Sequence, residues 1–148
     1  SDLEEQESVS EFIANEAKLG YNSINKYNEW EKAIKNIISE FSLKVLELKK
    51  SGYKIAAFAA SAKGNTLLNS AGMNTDIIRY IADETPEKIG KYSTGNGIPI
   101  VNKQEIIKDP PDYLIILSWN FKDDIIEKVN KMGYKGKYII PIPAFEII

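Results

Sequence analysis

Apolar residues recur along the first fifty positions at helical rather than strand spacing. From Tyr27 the series Trp30, Ile34, Ile37, Ile38, Phe41, Val45, Leu46 and Leu48 advances mostly in steps of three and four. That pattern predicts one long helix over Tyr27–Lys50 with a single buried face. Gly52 follows Lys49-Lys50, as suits a helix end where cations complement the dipole and glycine supplies the cap. A weaker pattern over Ser8–Leu19 predicts an earlier helix, with Ser8 or Ser10 as its N-cap.

Beyond Gly52 the pattern changes to short apolar runs separated by amphipathic stretches. Ile55–Ala60 reads as a first buried strand, followed by a short helix over Thr66–Gly72. Asp76–Ala82 reads as a second strand ending at Asp83, and Ile98–Val101 as a brief third before a helix around Lys103–Lys108. Tyr113–Leu117 is apolar on both faces, as in the middle of a parallel sheet. A helix over Phe121–Met132 and a strand at Tyr138–Ile140 complete the series. Strands separated by helix-sized crossovers predict an α/β, Rossmann-like three-layer sandwich with a mostly parallel sheet of about five strands, preceded by N-terminal helices. The change of pattern predicts a helical segment over residues 1–51 packing on the sheet and an α/β domain over 52–148, together one folding unit.

Composition narrows the chemistry sharply. The chain has 148 residues, enough for one domain with a sizeable core. Lys+Arg 19 against Asp+Glu 21 leaves a net charge of -2, with no basic footprint for nucleic acid or a membrane surface. Cysteine and histidine are both absent. Disulfides, thiol nucleophiles and Cys-ligated zinc are therefore excluded, together with the commonest metal ligand and the usual general base near neutral pH. No catalytic residue and no metal site is expected; the composition suits a binding unit. The acidic start, Ser1-Asp2-Leu3-Glu4-Glu5, is unlike a signal peptide, and no stretch approaches the roughly 20 apolar residues of a membrane span. A cytoplasmic setting is expected, and a start without Met reads as a trimmed chain or a piece of a longer protein.

In such sheets ligands bind beyond the carboxyl ends of the strands. Three segments should converge there. In the first, Ala59, Ser61 and Gly64 take the spacing of G-x-G-x-x-G, with small residues in place of two glycines. Close helix–sheet packing accounts for the alanines. Lys63-Gly64-Asn65-Thr66 is better read as contacting a polar ligand, Lys63 as a point charge and Asn65 and Thr66 as hydrogen-bonding groups. The order Lys-Gly-Asn-Thr is not that of a Walker A loop. In the second segment, Asp83 can accept ribose hydroxyls or cap a helix. In the third, Trp119 can stack on a base or sugar, while Asn120 is better read as a cap for the following helix than as a ligand contact. The loop Gly90–Ile100, with Tyr92, reads equally as a cover for a ligand or as a connector. Asp123-Asp124 reads as first-turn helix charge, because adjacent helical residues point about 100° apart.

Taken together, Lys63-Gly64-Asn65-Thr66-Leu67-Leu68-Asn69, Asp83 with Pro86 and Lys88, Gly95, Ile98-Pro99-Ile100, Pro111-Asp112-Tyr113 and Leu117-Ser118-Trp119-Asn120-Phe121 resemble a known module. It is the C-terminal domain of S-adenosylmethionine (SAM)-dependent sugar C-methyltransferases acting on nucleotide-linked keto-sugars. The resemblance extends to the opening region, Ser8 to Glu16 and the Tyr27–Lys50 helix. It implies a substrate-binding and docking domain, with catalysis and SAM in a central domain on the same or another chain and no cofactor held by this chain alone. The implied partners are a nucleotide-sugar and that catalytic domain. Ser61, Lys63, Gly64, Asn65, Thr66, Asp83, Tyr92, Trp119 and Asn120 are the candidate substrate contacts. The chain departs from the family at Ala59, where Gly is usual, at Thr94 for Pro and at Gly97 for His. A stand-alone dinucleotide- or CoA-binding domain remains the alternative, ahead of an assembly module built on the long helix.

Overall fold

A computed structural model describes residues 7–148. Two helices, α1 (Glu7–Lys18) and α2 (Ile24–Lys50), precede an alternating series. The series runs β1 (Ile55–Phe58), α3 (Ala62–Ser70), β2 (Ile81–Asp83), β3 (Ile100–Asn102), α4 (Glu105–Lys108) and β4 (Tyr113–Ile116). A 3-10 turn (Trp119–Phe121), α5 (Lys122–Lys131), β5 (Lys137–Ile140) and β6 (Glu146–Ile147) complete it. The chain divides into two compact units inside α2, one up to Asn36 and one from Ile37. Among the described residues no helix is long and apolar enough to cross a membrane.

The second unit holds a six-stranded sheet in the order β3-β2-β1-β4-β5-β6. Every neighbouring pair is parallel except β5 with β6. The strand order reverses direction between β1 and β4, so their carboxyl ends bound the crevice where such folds take ligands. Alternation along the strands sends Ile55, Ala57, Ile81, Ile115 and Ile139 to one face, where Phe41 and Val45 of α2 and Leu67 and Leu68 of α3 cover them. Ala56, Phe58, Ala82, Leu114, Ile116 and Ile140 face the other way, against Ile106, Ile125 and Val129 of α4 and α5. These are the three layers of the sandwich.

Several boundaries differ from expectation, each for a physical reason. The second strand begins at Ile81 rather than Asp76, and Asp83 lies inside it. Asn74 winds the preceding stretch into a turn, its Oδ1 accepting the Asp76 N–H at 3.0 Å and its carbonyl those of Ile77 and Ile78. The third strand is Ile100–Asn102 rather than Ile98–Val101. The first crossover helix starts at Ala62 rather than Thr66, because Ser61 caps it. Trp119–Phe121 forms a separate 3-10 turn before α5. Ser8 and Ser10 lie inside α1 rather than ahead of it. Trp30 and Ile34, expected on a buried face, are exposed. A sixth strand, absent from the expectation, adds the only antiparallel pairing in this sheet. The Gly52 cap appears as expected, at φ +87° with its N–H on the Lys49 carbonyl and the Tyr53 N–H on that of Leu48.

Candidate functional site at the carboxyl edge of β1 and β4

The turn after β1 is assembled from its neighbours on both sides. Ala59 has φ +70°, a left-handed conformation that strains a residue with a side chain. Its N–H donates to the Ala82 carbonyl at 2.8 Å. The next N–H, of Ala60, donates to Asp83 Oδ2 at 2.7 Å, while Thr85 N–H donates to Oδ1 at 2.8 Å. Lys88 Nζ bridges the same place, 3.0 Å from the Ala60 carbonyl and 3.4 Å from Asp83 Oδ2. Asp83 is only 4% exposed. Burial pushes its carboxyl up, but hydrogen bonds from Thr85 and Ala60 and the Lys88 charge outweigh this and hold it below the usual carboxylate range.

Ser61 joins the turn to the other side of the crevice. Its hydroxyl accepts the Gly64 N–H at 3.2 Å as the α3 N-cap and donates to the Leu117 carbonyl at 3.2 Å. Gly64 has a packing reason to be glycine: a Cβ there would meet Leu117 Cβ at 2.6 Å and Ser61 Oγ at 2.9 Å. The Thr66 hydroxyl returns to the Ala62 carbonyl at 3.1 Å. Asn65 and Asn69 both donate to the Thr94 carbonyl, at 3.1 and 3.0 Å, and so clasp the Tyr92–Gly97 loop onto α3. Asn96 reinforces the clasp, donating to Asn65 Oδ1 at 3.4 Å and accepting from the Ser93 hydroxyl. Sequence reasoning missed Asn69, Ser93 and Asn96, whose partners lie across the loop.

Fewer of the expected residues face outward with groups to spare. Lys63 Nζ sits 4.5 Å from the centroid of the Trp119 ring, a cation–π pair that spans the crevice from α3 to the turn after β4. Tyr92 is 70% exposed on the clasped loop, its backbone bridged to Pro99. Asn120 is exposed within the 3-10 turn. It does not cap α5 as expected, since that cap position is Phe121 and carries no side-chain hydrogen bond. Two cavities flank Ser61: one of about 210 Å³ against Asn65, Tyr92 and Leu117, and one of about 280 Å³ against Asp83, Lys88 and Phe121. On the wall of the second, Glu84 pairs with Lys103 at 2.7 Å and Lys128 at 2.6 Å. Those two lysines lower its pKa against the effect of burial. Among the described residues no three carboxylates gather as a metal site.

The strand order, the reversal between β1 and β4 and the small-residue turn capped onto a helix define a Rossmann-like α/β domain. The particular family follows from comparison with known sequences. Residues 1–143 match the family model described as C-methyltransferase C-terminal domain, and the chain belongs to that family. It is also similar to the C-methyltransferase NovU of Streptomyces niveus, with 29% identity over 149 aligned residues. That alignment takes in 100% of this chain but 36% of NovU, so the chain spans little more than a third of its relative.

Proposed function

We propose that this chain is the substrate-binding and docking domain of a SAM-dependent C-methyltransferase acting on a nucleotide-linked keto-sugar. The observation that carries the reading is the Lys63–Trp119 pair across the crevice, a cation and an aromatic face side by side. A nucleotide-sugar offers the complements, a diphosphate for the ammonium and a flat base or sugar face for the indole. Tyr92, on the loop clasped to α3, and Asn120, next to Trp119 in the chain, are also exposed. Ser61, Gly64, Asn65, Thr66 and Asp83 contribute by fixing the turn and the loop on which the contacts stand. The two cavities, about 210 and 280 Å³, fall below the roughly 300–1,000 Å³ of complete small-molecule sites. A further domain closing over the crevice would complete the enclosure, as the family's status as a C-terminal domain suggests.

SAM supplies the methyl group when bound, and the catalytic portion outside this chain would hold it, in a cytoplasmic enzyme. The turn after β1 is poorly suited to that cofactor or to a dinucleotide. Asp83, the carboxylate that would accept ribose hydroxyls there, is buried with its oxygens engaged by Ala60, Thr85 and Lys88. Calorimetric titration with a TDP-sugar, SAM and NAD tests the reading. Binding of the TDP-sugar alone, weakened about tenfold by Lys63→Ala, is the expected result. Preferential NAD binding would replace it with the dinucleotide reading.

A further inference from the structure

The first compact unit contains a concave feature that the substrate site does not use. Gly20, at φ +79°, closes α1 with its N–H on the Ala17 carbonyl, and the Tyr21 N–H reaches back to that of Glu16 at 3.0 Å. This reversal brings Tyr21 against Trp30, one turn beyond Tyr27 on α2. Tyr21 and Trp30 have ring centroids 5.2 Å apart at 52°, and Tyr27 and Trp30 lie 5.3 Å apart at 79°. The three rings therefore form a corner rather than a stack. They line a pocket of about 340 Å³ whose polar members are Glu16 and Asn22. Tyr27 and Trp30 remain 52% and 39% exposed, so packing within the hairpin has not consumed them. Nearby Glu29 and Glu31 are paired with Lys26 and Lys35, but among the described residues Glu16 has no ion pair.

Aromatic faces at an angle with an unpaired carboxylate attract an organic cation. The carboxylate and amide also ask for N–H donors, which a guanidinium has and a quaternary ammonium lacks. We propose that Glu16, Tyr21, Tyr27 and Trp30 form a docking site for an arginine side chain presented by the catalytic portion of the parent methyltransferase. The choice of that portion rests on the function proposed above and on length, since about two-thirds of NovU lies outside the region matched by this chain. A second copy is a poor source: Arg79 is the only arginine in the sequence, and it is already ion-paired with Asp109.

The test uses intrinsic fluorescence, taking as signal the response that Trp30→Phe abolishes. N-acetylarginine amide should give a saturable response, about tenfold weaker in Glu16→Gln and with the uncharged isostere N-acetylcitrulline amide. In the full-length parent enzyme, where the site is filled, added N-acetylarginine amide should give none. Absence of a saturable response in the present chain would overturn the site. An equal response to tetramethylammonium would overturn the guanidinium assignment, and a persistent response in the full-length enzyme would overturn the occupant. None of these readouts involves the nucleotide-sugar crevice, so the two readings fail separately.

Discussion

The two halves of α2 carry the same spacing of apolar residues and meet opposite fates. Tyr27, Trp30 and Ile34 are 52%, 39% and 56% exposed, while Phe41 and Val45 are 0% exposed beneath the sheet. Helical periodicity states that a face is apolar. It does not state what covers that face, or whether the cover belongs to the same compact unit. The division between Asn36 and Ile37 falls where the pattern continues but the burial begins. In the second unit both faces of the sheet are covered even though Leu43, Tyr92 and Phe121 stay exposed, whereas in the first unit Tyr27, Trp30 and Ile34 of α2 remain outward.

Four substitutions sharpen or break that contrast. Phe41→Ala should cost about 3–5 kcal/mol of stability in urea denaturation, the usual penalty for emptying a fully buried aromatic site. Asp83→Asn should cost about 1.5–3 kcal/mol near neutral pH, since it removes charge-assisted bonds that hold the β1 turn. Its pH dependence has a definite sign. The folded-state pKa of Asp83 is depressed, so its contribution is present above the ordinary carboxylate pKa near about 4 and is lost as pH falls through the lower folded value. Urea titrations at decreasing pH should therefore show the wild type converging on Asp83→Asn. Gly64→Ala should cost about 1–3 kcal/mol by forcing a Cβ against Leu117. Ile34→Ala should change stability by no more than about 0.5 kcal/mol, as at an exposed position. A loss there comparable to that of Phe41→Ala would end the contrast between the halves.

The alternation of strands and helices was legible because each buried strand is a short apolar run and each covering helix shows its own period. The errors have local causes. Asp76–Tyr80 is apolar enough for a strand, but the Asn74 side chain and carbonyl turn it instead. β6 is two residues long and follows Pro141 and Pro143, so no alternation could announce it. At the site, the spacing of Ala59, Ser61 and Gly64 marked the passage from strand to helix, but the helix begins at Ala62, so Gly64 lies inside it rather than in the turn. The work of Asp83 could not be read the same way, since it depends on Ala60 meeting it through the β1–β2 pairing and on Lys88 folding back over the same turn. The asparagine clasp was hidden for a similar reason: Asn65 and Asn69 find Thr94 at separations of 29 and 25 residues.

The position of β1 in the middle of the sheet has a consequence for how the chain comes off the ribosome. Its partner on one side, β4, is registered Ile55 to Tyr113, a separation of 58 residues. At roughly 5–20 residues per second, several seconds pass between synthesis of the central strand and that of its second neighbour. During that interval an apolar strand edge has no lateral partner, the state in which parallel sheets are open to pairing with the wrong chain. Slower translation across residues 60–112 should therefore lower soluble yield without altering the stability of the molecules that do fold.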